Sequence, residues 1–208
     1  MNDDQDYDWD ARWRAKAADA DWQVDPWLQR IFPLLQQGQA LDVACGNGRN
    51  ALFLAEQGFT VTAIDYSAEA LSLLRREAAA RGLAITTRQI DLEAAPLLPA
   101  GPFDLVLQFF YLHRPLLPSL KALLRPGGFM VLRTFSRAGS FPGGLANPDF
   151  VLNPGELPEL FAGWEILLHE EGLEPSKKGG SLAGIVARRP ADAARRAAKR
   201  PGSQVEVT

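Results

Sequence analysis

Short, mostly apolar runs fall near residues 39–44, 60–64, 84–90, 103–108, 128–135, 164–170 and 182–188. Glycine, proline or charged residues bound them, which is the pattern of buried strands. Between several of these runs the apolar spacing lengthens to a helical period, over residues 50–56 and 68–81, with Ser67 placed to cap the second helix. Helices alternating with the first five runs predict a doubly wound, mostly parallel sheet of seven strands with helices on both faces. One stretch breaks the alternation. Residues 136–154, rich in proline and glycine, follow the fifth run and leave the edge of the sheet where ligands sit, so they are expected to form part of a substrate lid. Three zones follow: an acidic lead-in over 1–37 with one or two helices and four tryptophans (Trp9, Trp13, Trp22, Trp27), a sheet domain over 38–189, and a basic tail over 190–208. The tail is poor in large apolar residues and is expected to be frayed.

The run over residues 40–65 carries the chemistry. It reads as strand, glycine-rich turn, helix and second strand, ending on Asp65. Gly46 and Gly48 let the backbone bend sharply and approach a ligand, and the helix that follows offers free N–H groups beside the bend. Asp65 is placed to accept from both hydroxyls of a ribose. Gly46-x-Gly48-x-x-Ala51 also satisfies a dinucleotide-binding fingerprint. Asp42 separates the two readings. A carboxylate inside the first strand, four positions before Gly46, would repel a pyrophosphate but favour a cofactor with an ammonium and a sulfonium, which describes S-adenosylmethionine (SAM).

The string Asp42-Val43-Ala44-Cys45-Gly46-Asn47-Gly48 resembles motif I of the class I SAM-dependent methyltransferases, with Ala44 where the first glycine is usual. Ile64-Asp65-Tyr66-Ser67 is similar to motif II, and Arg88-Gln89-Ile90-Asp91-Leu92 to the motif after it. Phe103-Asp104-Leu105-Val106-Leu107-Gln108 is similar to motif IV, and Leu124-Arg125-Pro126-Gly127-Gly128 to the turn into strand five. The resemblance implies a Rossmann-like class I methyltransferase fold with an antiparallel last strand. It implies SAM as cofactor and S-adenosylhomocysteine (SAH) as product. By the same resemblance Asp65 holds the ribose, Tyr66 packs on the adenine and Asp91 accepts from the adenine amino group. Ala44, Cys45, Gly46, Gly48, Ser67, Leu92 and Gln108 complete the expected cofactor pocket. Within the class, Asp10-Ala11-Arg12-Trp13, Cys45-Gly46-Asn47-Gly48-Arg49-Asn50 and Asn153-Pro154-Gly155-Glu156-Leu157 resemble the tellurite-resistance-protein-like methyltransferases related to thiopurine methyltransferases. That group implies a small-molecule acceptor: a thiol, a metalloid oxyanion, or a small hydroxyl or amine.

Arg12 is a candidate for the methionine carboxylate, since a guanidinium fork suits it. His113, just past strand four, is the candidate general base, with helix capping as its structural alternative. His169 is read as structural or solvent-facing. Cys45 has no neighbouring histidine and is read as pocket lining, not as a nucleophile. One or two of the lead-in tryptophans are expected to close the pocket. The Asn/Asp-Pro-Pro-aromatic string of amino methyltransferases does not follow strand four, where Gln108-Phe109-Phe110-Tyr111 stands, and no metal-ligand spacing is evident. A net charge of −3 argues against nucleic acid as the main partner. A single cysteine suits a reducing cytosol, and neither a secretory signal nor a membrane span is expected. The expected assembly is a monomer or a homodimer. Two other readings stand beside methyl transfer: a SAM- or SAH-binding protein without catalysis that acts through a partner, and an NAD(P)-dependent oxidoreductase.

Overall fold

The computed structural model describes residues 8–94, 96–139, 148–177 and 179–191. Residues 140–147 of the expected lid and nearly all of the basic tail lie outside the described residues. Seven strands form one sheet: β1 (Gln39–Val43), β2 (Thr60–Asp65), β3 (Ile85–Gln89), β4 (Phe103–Phe109), β5 (Leu124–Ser136), β6 (Glu165–Pro175) and β7 (Ser181–Arg188). Their order is β3-β2-β1-β4-β5-β7-β6. The pairs among β1 to β5 are parallel, and β7 runs antiparallel to both β5 and β6. The expected Rossmann-like architecture with an antiparallel last strand is therefore present.

Two helices, α1 (Trp9–Lys16) and α2 (Pro26–Ile31), precede the sheet. The others are α3 (Arg49–Glu56), α4 (Ala68–Ala80), α5 (Leu117–Ala122) and α6 (Glu156–Leu160). Because successive side chains of a strand point to opposite faces, the sheet feeds two core layers. Leu41, Val43, Val106, Leu132 and Ile185 meet Leu117 and Leu120 of α5 and Leu157 of α6. Ala40, Leu105, Leu107 and Val131 meet Trp27 and Leu28 of α2, Leu52 and Leu54 of α3, and Leu74 of α4. Each fully buried leucine contributes roughly 2 kcal/mol.

The alternation expected for the first five strands fails once. No helix stands between β3 and β4 among the described residues, where Pro96, Pro99 and Pro102 remove backbone donors within a short connection. Strand five begins earlier than its apolar run. Leu124 already pairs with Phe103, and the register then shifts before Phe129 meets Leu105, so Arg125 to Gly128 bulge from the ladder. Among the described residues no helix is long and apolar enough to cross a membrane.

Candidate active site

The chain leaves β1 through a turn of unusual backbone. Ala44, Gly46 and Gly48 all have positive φ, at 54°, 57° and 77°. For glycine this conformation is free. For Ala44, which stands where motif I usually has glycine, it costs about 1 kcal/mol. The two glycines are also required by their neighbours. A Cβ on Gly46 would lie 2.8 Å from Cζ2 of Trp13, and one on Gly48 would lie 2.4 Å from Cδ1 of Leu74 on α4. Trp13 of α1 thus lies directly against the glycine turn.

Asp42 alternates onto the α3 side of β1 and is 2 % exposed. Its carboxylate accepts from the Ala51 N–H, while Oδ2 is buried and has no hydrogen-bond partner among the described residues. Burial, and then the charge of Asp65, push its pKa up to about 7. Asp65, at the end of β2, pins the turn: Oδ2 accepts from the Gly46 N–H at 2.7 Å and Oδ1 from the Ser67 N–H at 2.9 Å. Burial raises its pKa, and these backbone N–H groups oppose the rise. A carboxylate has about four lone-pair sites, so acceptor capacity remains for two hydroxyls. Tyr66 is 54 % exposed beside it, a bare aromatic face. Ser67 is fully buried; its Oγ caps α4 by accepting from the Ala70 N–H, and it donates to Asp10 of α1. Cys45 is half-buried, and burial followed by the charges of Asp65 and Asp42 holds its thiol protonated. Asp91 is exposed and accepts from the Glu93 N–H at 3.0 Å, while Leu92 lies in the core.

The turn also holds the lead-in. Asn47 Nδ2 donates to the Asp21 carbonyl at 2.8 Å, and Asn50 Oδ1 accepts from the Asp25 N–H at 3.0 Å. Arg49 reaches Asp25 at 3.2 Å and Asp21 at 3.6 Å. Helix α1 is tied separately, through Asp10 to Ser67 and the Glu69 N–H, and through Arg14 to Glu69. Arg12 is half-buried on this helix, its guanidinium 5.0 Å from the centre of the Trp9 ring. The four lead-in tryptophans serve different ends. Trp13 covers the turn, Trp27 is buried in the core, Trp22 packs at the core's margin, and Trp9 is 40 % exposed.

A strand–glycine turn–helix with a buried acid before the turn and a second acid pinning it calls for comparison with known proteins. The methyltransferase-domain family matches residues 40–128. Over these residues the chain is similar to that methyltransferase family. Among curated relatives, Hemagglutinin 1 of Eikenella corrodens is 30% identical over 140 residues, 65% of this chain and 46% of that protein. The ubiquinone biosynthesis O-methyltransferase of Bordetella avium is 28% identical over 169 residues, 74% and 69% of the two chains. The probable SAM-dependent methyltransferase TehB of Haemophilus influenzae is 28% identical over 140 residues, 65% and 49%. A crystal structure of TehB aligns with TM-score 0.69 at 22% identity, covering 80% of this chain and 62% of that one. The chain spans about half the length of the first and third of these curated relatives.

At the end of strand four, Gln108 is fully buried; its Nε2 donates to the Tyr111 carbonyl at 3.1 Å and its Oε1 has no partner among the described residues. Phe110 follows with φ 55°, a left-handed non-glycine residue that is 38 % exposed. Its ring lies 5.6 Å from Phe135 and 6.0 Å from the Arg49 guanidinium. Strain of this kind concentrates at ligand sites. His113 is half-buried at the entry to a short 3₁₀ turn. Next to it, Arg114 clamps the return arm of the long loop: it pairs with Glu156 and donates to the carbonyls of Asp149 and Val151 at 2.7 and 2.9 Å. His169 is half-buried on β6, with Nε2 shielded and without a partner among the described residues.

Sequence reading assigned no role to Asp10, Asn47, Arg49, Asn50 or Arg114. The signal was present for the middle three, as adjacent polar side chains at the start of a helix that would otherwise point at nothing. For Arg114 it was the Glu156 inside the Asn153-Pro154-Gly155-Glu156-Leu157 string, with no means of pairing the two.

Proposed function

We propose that this chain transfers a methyl group from SAM to a small-molecule nucleophile: a thiol, a metalloid oxyanion, or a small hydroxyl or amine. The observation that carries the reading is Asp42, whose buried Oδ2 has no hydrogen-bond partner among the described residues, beside a turn of positive-φ residues. A buried carboxylate of this kind is costly unless a cation meets it. The amino-acid end of SAM brings an ammonium, so the residues present fit the cofactor.

Asp42 then holds the ammonium, and Arg12 on α1 is the partner for the carboxylate. Asp65 accepts from the ribose hydroxyls with the lone pairs left over from Gly46 and Ser67. Tyr66 offers its exposed face to the adenine, and Asp91 accepts from the adenine amino group. When bound, SAM supplies a methyl carbon that its sulfonium makes electrophilic. The remaining work of the chain is positional: to hold the nucleophile in line at near-attack distance and to keep water out. Trp13 over the turn and the Phe110–Phe135 pair beyond β4 supply apolar walls for that purpose. His113 is the candidate base for an acceptor that carries its proton into the site; an already ionised acceptor needs none.

Calorimetric titration with SAM, SAH and NADH in parallel tests the cofactor. Binding of both adenosyl ligands, abolished by Asp65→Ala, is expected; binding of NADH alone would reverse the reading of Asp42. Thiols, tellurite, selenite and small phenols are then screened for transfer. Turnover on one of them supports the enzyme, while tight binding without turnover on any supports a non-catalytic binding protein. On an acceptor that must be deprotonated, His113→Ala should lower kcat roughly 10²–10⁴-fold with little change in SAH binding. A loss of only a few-fold would remove His113 from the mechanism.

A further inference from the structure

Tyr111 has no role in the reading above, yet it ends in a group that its surroundings leave unfinished. The chain leaves β4 at Phe109, reverses through the left-handed Phe110, and brings Tyr111 back toward the sheet. The backbone there is fixed, because Gln108 Nε2 donates to the Tyr111 carbonyl at 3.1 Å. The ring is half-buried and packs, with Ala44 and Ile90, on the core layer that contains Val43, Ile64 and Leu92. The acids whose charges reach its hydroxyl, Glu93, Asp91 and Asp65, stand at the end of β2 and just after β3, so the ring sits on the nucleoside side of the site. The hydroxyl is shielded from solvent and has no hydrogen-bond partner among the described residues. Asp65, Asp91 and Glu93 are near enough for their charges to act on it; burial first, and then Glu93, Asp91 and Asp65, push its pKa further up. The phenol therefore stays protonated at any working pH and is a donor. Adenine ring nitrogens and ribose oxygens are acceptors. The carboxylates proposed for the nucleoside are themselves acceptors, so they leave those atoms unserved.

We propose that the Tyr111 hydroxyl donates a hydrogen bond to the adenosine part of the cofactor. This assignment rests on the reading that the site holds an adenosyl cofactor. A buried hydroxyl with no partner is a liability to the unliganded protein, and one kept for a ligand becomes an asset only in the complex.

The test is Tyr111→Phe, which removes one oxygen and keeps the ring. Thermal unfolding of the unliganded protein is measured together with calorimetric titration of SAH and of adenosine into wild type and variant. The variant should melt at the same temperature as wild type or higher. Its Kd for SAH and for adenosine should each rise about 5–10-fold, the worth of one neutral hydrogen bond. Unchanged affinity for both ligands would overturn the assignment. So would weakened binding of SAH with adenosine unaffected, which would put the donor at the amino-acid end. A fall of several degrees in the unliganded melting temperature would show that the hydroxyl serves the protein itself. If wild type binds no SAH, the cofactor reading fails and takes the Tyr111 assignment with it; if wild type binds and the variant binds equally well, only the assignment fails.

Discussion

Asp42 on β1 and Arg133 on β5 are both charged residues buried in the sheet, and the molecule treats them in opposite ways. Arg133 is 5 % exposed and fully engaged: it donates to Asp25, pairs with Glu174 at 2.6 Å, and lies 5.5 Å over the Trp27 ring. Asp25 in turn caps α2 through the Trp27 N–H and takes Arg49. Asp42 feels the charge of another carboxylate, Asp65, and keeps an oxygen without a hydrogen-bond partner among the described residues. The same contrast extends outward. Charged groups on the β5–β7 side are likewise tied to named partners: Glu171 accepts from Ser136 Oγ and the Gly155 N–H, and Arg114 spans Glu156 and two carbonyls. The β1–β3 side carries the strained turn, the raised acid pKa values and the bare Tyr66. One side is built to hold shape and the other to be completed by something else.

Opposite treatment implies opposite responses when the charge is removed. Arg133→Met should be the larger effect, lowering stability by about 3 kcal/mol, because it leaves Asp25 buried with Arg49 as its remaining ion partner. Urea unfolding of the unliganded protein measures this, and a stabilised variant would end the contrast. Asp42→Asn should instead raise the stability of the unliganded protein, by about 1–3 kcal/mol at pH 8. The sign follows from the direction of the shift. The folded carboxyl titrates at about 7, above its unfolded value, so the folded state holds the extra proton between the two. Its contribution to stability is therefore present at low pH and lost as pH rises toward 7. The advantage of asparagine should be greatest above pH 7 and fade toward pH 4. The same ionisation should sharpen cofactor affinity. SAH should bind more tightly as pH rises from about 5.5 to 7, by at most tenfold per unit, and this slope should vanish in Asp42→Asn. The smallest effect expected is Ala44→Gly, which relieves the left-handed backbone and should add about 0.5–1 kcal/mol at most. A loss of more than about 1 kcal/mol, beyond the chain entropy that glycine adds, would mean that the turn is not under strain.

The cofactor half was legible because its parts are local. Strand, turn, helix and second strand lie within one short stretch, and hydrophobic period, glycine placement and the two acids all point to the same unit. The ends of β1, β2 and β3 fall within a residue or so of the apolar runs. What was not legible depends on pairs far apart in sequence. Arg133 and Asp25 are 108 positions apart, Arg114 and Glu156 are 42, and nothing in either neighbourhood names its partner. The missing helix between β3 and β4 was a different failure, since a regular alternation was extended over a segment whose prolines argued against it. The sense of β7 came from family resemblance alone, because a strand's own pattern does not state its direction. Tyr111 was passed over because an aromatic residue in an apolar run reads as core, and only the surroundings of its hydroxyl set it apart.

The lead-in has one more consequence, which concerns the order in which the chain is made. Helix α2 is synthesised before the strands that carry one of its closest polar partners. Trp27 Nε1 donates to Glu170, 143 positions later, at 2.8 Å, and Gly184 is bare where any Cβ would lie 2.5 Å from the same ring. A chain emerging amino end first can lay Asn47 and Asn50 against Asp21 and Asp25 early. It cannot seat Trp27 until β5, β6 and β7 have arrived. Seating this helix thus waits on a contact of very long range, and contacts of that kind are the ones that set the pace of folding.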